Sequence, residues 1–276
     1  MLKSSTNCIR SSGLTWHSAQ YLISHLGLLL RVSRNEVAAR YAGSLLGIGW
    51  ALLAPLAILT VYAVVYLYIF AVRPAQMSSL QYVLYMFAGL VPFMMTGEAL
   101  NGGVSSVVVN KSVLNNTVFP IDLAPAKPVL ISQTIPLIGF ATIIMLSFLT
   151  GTIASSVLLL PFIWGLQVLW LVGLNWILSL IHVVFRDLQY LIGILLMMVL
   201  IASPIAYTPD MVPASLRTII ILNPFAYFVI AYQKVLVLGE VPHWYEWVSL
   251  GAMSLGMFAV GGWLFAKGKR VLIDYA

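Results

Sequence analysis

The sequence predicts an all-α integral membrane protein: six transmembrane helices, an N-terminal amphipathic interfacial helix, and two short re-entrant helices between spans five and six. Three observations predict it. Of the 276 residues, 61% are hydrophobic and only 8% charged, against about 25% charged in a soluble domain. Several charge-free runs are long enough to cross a bilayer, whose ~30 Å core takes ~20 apolar residues of helix. Finally, the basic residues fall almost wholly on one side of those runs, as the positive-inside bias requires. The chain reads as one transmembrane domain, 1–276, with an interfacial segment at 1–43, spans within 44–266 and a tail at 267–276.

The first segment, "LISHLGLLLRVSRNEVAARYAGS", alternates apolar and polar positions at helical spacing, with Leu22, Leu26, Leu29, Val32 and Val37 as the apolar positions. A helix of that kind lies on the membrane surface. Gly43 and Gly47 follow, where the chain must turn sharply or meet another helix closely. The first twenty residues lack the apolar core of a signal peptide, so the amino terminus is expected in the cytoplasm.

Spans are expected at 44–70, 80–107, 128–150, 156–181, 188–206 and 246–266. The stretch from Pro128 to Phe185 holds no Asp, Glu, Lys or Arg, and "TGTIASS" supplies the turn that divides it into two spans. "TIIILNPFAYFVIAYQKVLVLG", Thr218 to Gly239, is also apolar. It is interrupted by Asn223-Pro224 and carries Lys234, and proline disfavours helix at the residue before it. Sidedness decides its reading. With six spans, all 14 Lys and Arg except Arg73, Arg217 and Lys234 lie on one side. A seventh span would carry "KGKR" across. Residues 207–243 are therefore read as two helices that dip into the outer leaflet and return, with both termini cytoplasmic.

Composition and motifs exclude several functions. The 14 basic residues form no dense patch for nucleic acid. Cys8 is the only cysteine, and His17, His25, His182 and His243 are scattered, so no metal or cofactor site is expected. The chain has no phosphate-cradling glycine loop and no His-Glu-x-x-His, and it is not read as an enzyme. Glu98 is the one acid deep in a span, about 27 Å along its helix from Leu80 by a ~1.5 Å rise. It either reaches water at the interface or faces a partner or cavity.

Four segments, in order, resemble the permease subunit of ABC-type polysaccharide exporters, the half-transporters that export O-antigen, teichoic acid and related polymers. "RYAGSLLGIGWALLAPL" is similar to that family's lead-in to span one, and "NKSVLNNTVFPIDLAP" to its first cytoplasmic loop. "VFRDLQYLIGILLMMVLIASPIAY" matches the Phe-Arg-Asp start and Ser-Pro-Ile-x-Tyr end of span five, and "LNPFAYFVIAYQKVL" the Asn-Pro segment of the re-entrant helices. Ala42 and Gln233 depart from the pattern, standing where a basic residue is common.

The resemblance implies a homodimer in the bacterial inner membrane, bound to two copies of an ATP-binding-cassette subunit that holds the ATP and Mg. It implies a polysaccharide carried on polyprenyl pyrophosphate as substrate. Arg40, Tyr41 and Gly43 then form a headgroup gate, since Arg suits phosphate through paired hydrogen bonds. Tyr62, Tyr66 and Glu98 are expected to line the channel. Asn110, Lys111, Val113, Leu114, Phe119, Pro120 and Asp122 are expected to couple it to the ATPase. Phe185, Arg186, Asp187, Ser203, Pro204, Tyr207, Asn223 and Pro224 carry the span-five and re-entrant motifs. Exporters of a small drug or lipid on the same fold, a membrane-embedded polyprenyl-phosphate transferase and a non-catalytic scaffold are the competing readings.

Overall fold

Long apolar runs become long helices. The computed structural model describes residues 22, 24–70, 74, 77–109 and 121–275, with side chains through Gly268, and no strand occurs among the described residues. Helix α1 is Leu26–Tyr41. Among the described residues, five helices are long and apolar enough to cross a membrane: α2 (Gly47–Ile69), α3 (Ser79–Val104), α4 (Ile121–Leu149), α5 (Ser155–Val184) and, after the elements below, α9, whose apolar part is Trp244–Gly268.

Helix α6 (Leu188–Ala202) differs from the expected span at 188–206: it has 15 residues, about 22 Å at ~1.5 Å per residue. Ser203 ends it, in extended conformation, and its hydroxyl donates to the Val199 carbonyl at 2.7 Å. With Pro204 next, the helix cannot continue, so the last four residues of the expected span form an irregular connector in which Ile205 and Ala206 are buried. The Thr218–Gly239 run also breaks where the sequence indicated. Helices α7 (Arg217–Leu222) and α8 (Pro224–Gln233, extended by a wide turn to Leu238) are bent 97° from each other at Asn223. Helix α9 (Trp244–Tyr275) closes the chain.

The core is built around α3, whose apolar stretch is 78% buried against 11% for α2. Ser78 starts it, accepting from the Gln81 N–H at 3.2 Å. Inside this apolar centre, polar side chains bond to one another and to nearby carbonyls. Gln167 on α5 donates to Thr96 at 2.9 Å, and its amide oxygen accepts from the Tyr232 hydroxyl at 2.7 Å. Asn175 donates to the carbonyls of Ala99 and Pro125 at 3.0 and 3.1 Å.

Helices α5 and α9 approach to backbone contact. A Cβ on Gly261 would lie 2.2 Å from the Gly173 oxygen, and one on Gly173 would lie 2.4 Å from the Met257 oxygen. Small residues permit this in a membrane, where packing substitutes for a hydrophobic drive. At the start of α4 a second boundary moves. Residues 121–127 were expected in a loop, yet Ile121–Leu123 forms a helical turn and Asp122, Leu123 and Ala124 are buried.

Candidate functional site

Two groups of the predicted site residues lie at the two ends of α2, whose 23 residues span about 33 Å at ~1.5 Å per residue. At its beginning, α1 carries Leu29, Ser33, Glu36 and Arg40 at spacings of four, three and four, so all four share one face. Leu29 and Ser33 are buried there; of the other expected apolar positions, Leu22, Val32 and Val37 are half-buried and Leu26 is exposed. The two charged members each reach across to the bundle. Lys127 of α4 pairs with Glu36 at 2.9 Å, and Arg40 pairs with Glu98 of α3.

Glu98 was expected to line the channel with Tyr62 and Tyr66. It pairs with Arg40, at the end of α2 away from those tyrosines. Partial burial works against the Arg40 charge, but the bonded Glu98 carboxylate, with Tyr41 beside it, outweighs that and holds its pKa above the ordinary arginine value. The guanidinium therefore keeps its charge at every physiological pH. Half of the Arg40 side chain is still exposed, at 49%, which leaves donors free for an anion.

After α1 ends at Tyr41 the chain turns on two left-handed glycines, Gly43 (φ 78°) and Gly47 (φ 51°). Glycine takes this conformation without a Cβ clash, so the sharp turn expected from the sequence is formed by these two residues.

At the far end of α2, Tyr62 and Tyr66 stack with ring centroids 6.0 Å apart, and Phe70 meets Tyr66 edge-on at 5.7 Å. The last turn of α2 is wide, a form that recurs at functional sites. Both tyrosines line a cavity of about 210 Å³ with Leu200, Ser203 and Tyr207. The span-five motif thus meets the tyrosines of span one, although their sequence separation gave no sign of it. Aromatic faces beside hydroxyls offer the weak, repeated contacts that suit a sugar ring.

The connector behind this cavity is held by the other motif residues. Asn223 donates to the Ser203 hydroxyl at 2.9 Å, while its own oxygen accepts from the Phe225 N–H at 3.0 Å and caps α8. Pro224 fits as the first residue of that helix, where no N–H is needed. The Tyr207 hydroxyl donates to the Ala202 carbonyl at 2.8 Å. Gln233, which the sequence marked only as a departure, is the hub: its buried amide donates to the carbonyls of Pro204, Ile205 and Tyr85 at 2.9, 3.3 and 3.4 Å.

Phe185, Arg186 and Asp187 form the exposed corner between α5 and α6, with Asp187 preceding the first turn of α6, where a carboxylate is favourable. Asn110, Lys111, Val113, Leu114, Phe119 and Pro120 lie outside the described residues. Asp122, grouped with them as a coupling residue, is 5% exposed, and its backbone oxygen accepts from the Trp176 indole at 3.1 Å. It is part of the bundle rather than of a free loop.

A larger, open groove of about 950 Å³ runs beside Phe162, Trp164 and Trp247. Its lining is apolar apart from Gln133, whose amide oxygen is engaged by the Trp164 indole at 2.6 Å, so it presents a hydrocarbon-like surface. Among the described residues no three His, Cys, Asp or Glu side chains are grouped to hold a metal.

No protein-family model matches the chain. Curated proteins do. It is 27% identical to the "O-antigen export system permease protein RfbA" of Myxococcus xanthus over 90% of this chain and 95% of that one. It is 26% identical to a protein of the same name from Klebsiella pneumoniae, over 81% and 84%. The "Polysialic acid transport protein KpsM" of Escherichia coli is 23% identical over 80% and 84%. The resemblance read from the four motifs extends along most of the chain.

Proposed function

We propose, from this kinship with permeases of polysaccharide export, that the chain is the membrane subunit of an ATP-driven exporter. It moves a polysaccharide linked to polyprenyl pyrophosphate across the bacterial inner membrane, working as a homodimer with two copies of a separate ATP-binding subunit. The observation that carries this reading is the coverage: the similarity runs over 90% of this chain and 95% of an O-antigen export permease.

The geometry supports the paired arrangement, the re-entrant helices and the headgroup site. Helices α2 and α6 are poorly covered within one chain, with only Ala51, Pro55 and Leu59 buried on the regular part of α2 and Ile192 and Leu196 on α6. These two helices flank the cavity holding Tyr62, Tyr66 and Tyr207. A second copy against that face would enclose the tyrosines between the two chains, as a polymer channel requires. The bend at Asn223 suits helices that enter the outer leaflet and return, and irregular backbone at that depth is tolerated only beside protein or a water-filled cavity. Arg40, half-exposed beside the start of span one, suits a pyrophosphate headgroup arriving from the inner leaflet. The family resemblance, rather than the geometry, is what supports the loop from Asn110 to Ala126 as the element that couples the chain to the ATP-binding subunit.

The test is export itself. Co-expressed with its ATP-binding partner, the chain should assemble as a two-plus-two complex whose ATP turnover rises with lipid-linked polysaccharide. Deleting its gene should remove the polymer from the cell surface while lipid-linked polymer accumulates inside. Normal surface polymer in the deletion strain refutes the reading.

A further inference from the structure

Arg40 is not waiting empty for a headgroup: its charge is already taken by Glu98. The same helix is tied one turn earlier by Glu36 to Lys127, with the polarity reversed. We infer that Glu98 is a resident counter-ion that latches α1 against the bundle, and that a lipid-borne diphosphate opens the latch by taking Arg40 from it. This rests on the export reading for the source of the diphosphate, and adds a residue that decides when the gate is open.

Three features carry it. The two ion pairs stand four residues apart on one face, and sliding α1 by a turn would bring Glu36 towards Glu98, a like-charge contact, so the docked position is specified. The pair is half-exposed on the Arg40 side, at 49%, while the Glu98 side chain is mostly covered, at 19%. An arriving anion therefore reaches the arginine first and the carboxylate stays behind. The chain on the far side of Arg40 turns on Gly43 and Gly47, both left-handed and with open space where a Cβ would be, so α1 can lift without dragging α2. A diphosphate offers more charge than a carboxylate and can accept two parallel guanidinium bonds.

Ser33 supplies a reporter. It is buried on the docked face, at 4%, and its hydroxyl has no hydrogen-bond partner, so Ser33→Cys in a Cys8→Ser background removes no bond. In the assembled complex in liposomes, N-ethylmaleimide should label position 33 slowly. Glu98→Gln should speed labelling about 1.4- to fivefold, the span of an exposed ion pair's contribution. Farnesyl pyrophosphate in the bilayer should do the same to the protein with Glu98 intact. The exchanged pair, Arg40→Glu with Glu98→Arg, should restore slow labelling yet lose the response, because the arginine now sits on the covered side. Exchanging Glu36 and Lys127 should leave the response in place. If the exchanged protein does not assemble, Arg40→Gln should give fast labelling with no further response.

An unchanged rate in Glu98→Gln overturns the latch, and so does a farnesyl pyrophosphate response that survives the Arg40–Glu98 exchange. An equal response to inorganic pyrophosphate, or to phosphatidylglycerol liposomes alone, overturns recognition of a lipid-borne diphosphate. If labelling follows the expected pattern while surface polymer does not depend on the chain, the latch stands and the export reading fails.

Discussion

Replacing Gly173 by alanine should weaken the contact that holds α5 and α9 together. The new Cβ would meet the Met257 oxygen at 2.4 Å, the Met257 carbonyl carbon at 2.5 Å and the Phe258 Cα at 2.6 Å. All three are backbone atoms on a helix, with no rotamer to give way. Ordinary contact begins near 3.4 Å, so the two helices must part by roughly 1 Å at the crossing. Such a gap forfeits about a quarter to a half of each affected van der Waals contact, and overpacking of this kind costs about 1–3 kcal/mol. Alanine recovers up to ~1 kcal/mol through helix propensity, leaving a net loss of up to about 2 kcal/mol. Gly165, two turns earlier on α5, has no atom within 4 Å of its would-be Cβ. Gly165→Ala should therefore gain about 0.5–1 kcal/mol. Unfolding both variants in mixed micelles of graded denaturing detergent, followed by tryptophan fluorescence, gives the comparison. Equal stabilities, or Gly173→Ala the more stable, would refute the close-packed crossing.

Gln233→Leu should cost about 1–3 kcal/mol, because it strips the donor from the buried Pro204 carbonyl; thermal unfolding with Gln233→Asn as a milder control checks it. Asn223→Ala removes both the α8 cap and the bond to Ser203, and a cap alone is worth about 0.5–2 kcal/mol. The loss should appear as faster hydrogen exchange in α8, with little change in α5. Single cysteines at Ser215 and Lys269, in a Cys8→Ser background, should react with an impermeant reagent in intact cells only at Ser215; labelling at Lys269 from outside rejects cytoplasmic placement of the tail. Tyr62→Ala with Tyr66→Ala should lower surface polymer while leaving the two-plus-two complex intact, and unchanged export shows that the 210 Å³ cavity is not on the polymer's path.

The sequence by itself determined the solvent, the helical class, most span positions and the resemblance to permeases of polysaccharide export. Each is a one-dimensional property. Apolar runs locate helices because a bilayer forces every backbone group to bond within its own segment. Proline and asparagine mark the 97° break at Asn223 because their effects are local. Gly43 and Gly47 were readable as a turn for the same reason. Pairings between distant residues were not readable. Glu98 could be placed near an interface by counting residues, but counting cannot say that Arg40 meets it. Gln233 was readable as a departure from the family pattern, but nothing along the chain marks it as the hub of the connector. Asp122 looked like a loop acid because the charge pattern around it is that of a loop. Its burial follows from α5, whose Trp176 reaches its carbonyl. The early end of α6 was likewise set jointly by Ser203, Pro204 and the carbonyls that Gln233 collects. Those contacts join segments far apart in the chain, so only the packed bundle, which brings α3, α6 and α8 within hydrogen-bond distance, could decide them.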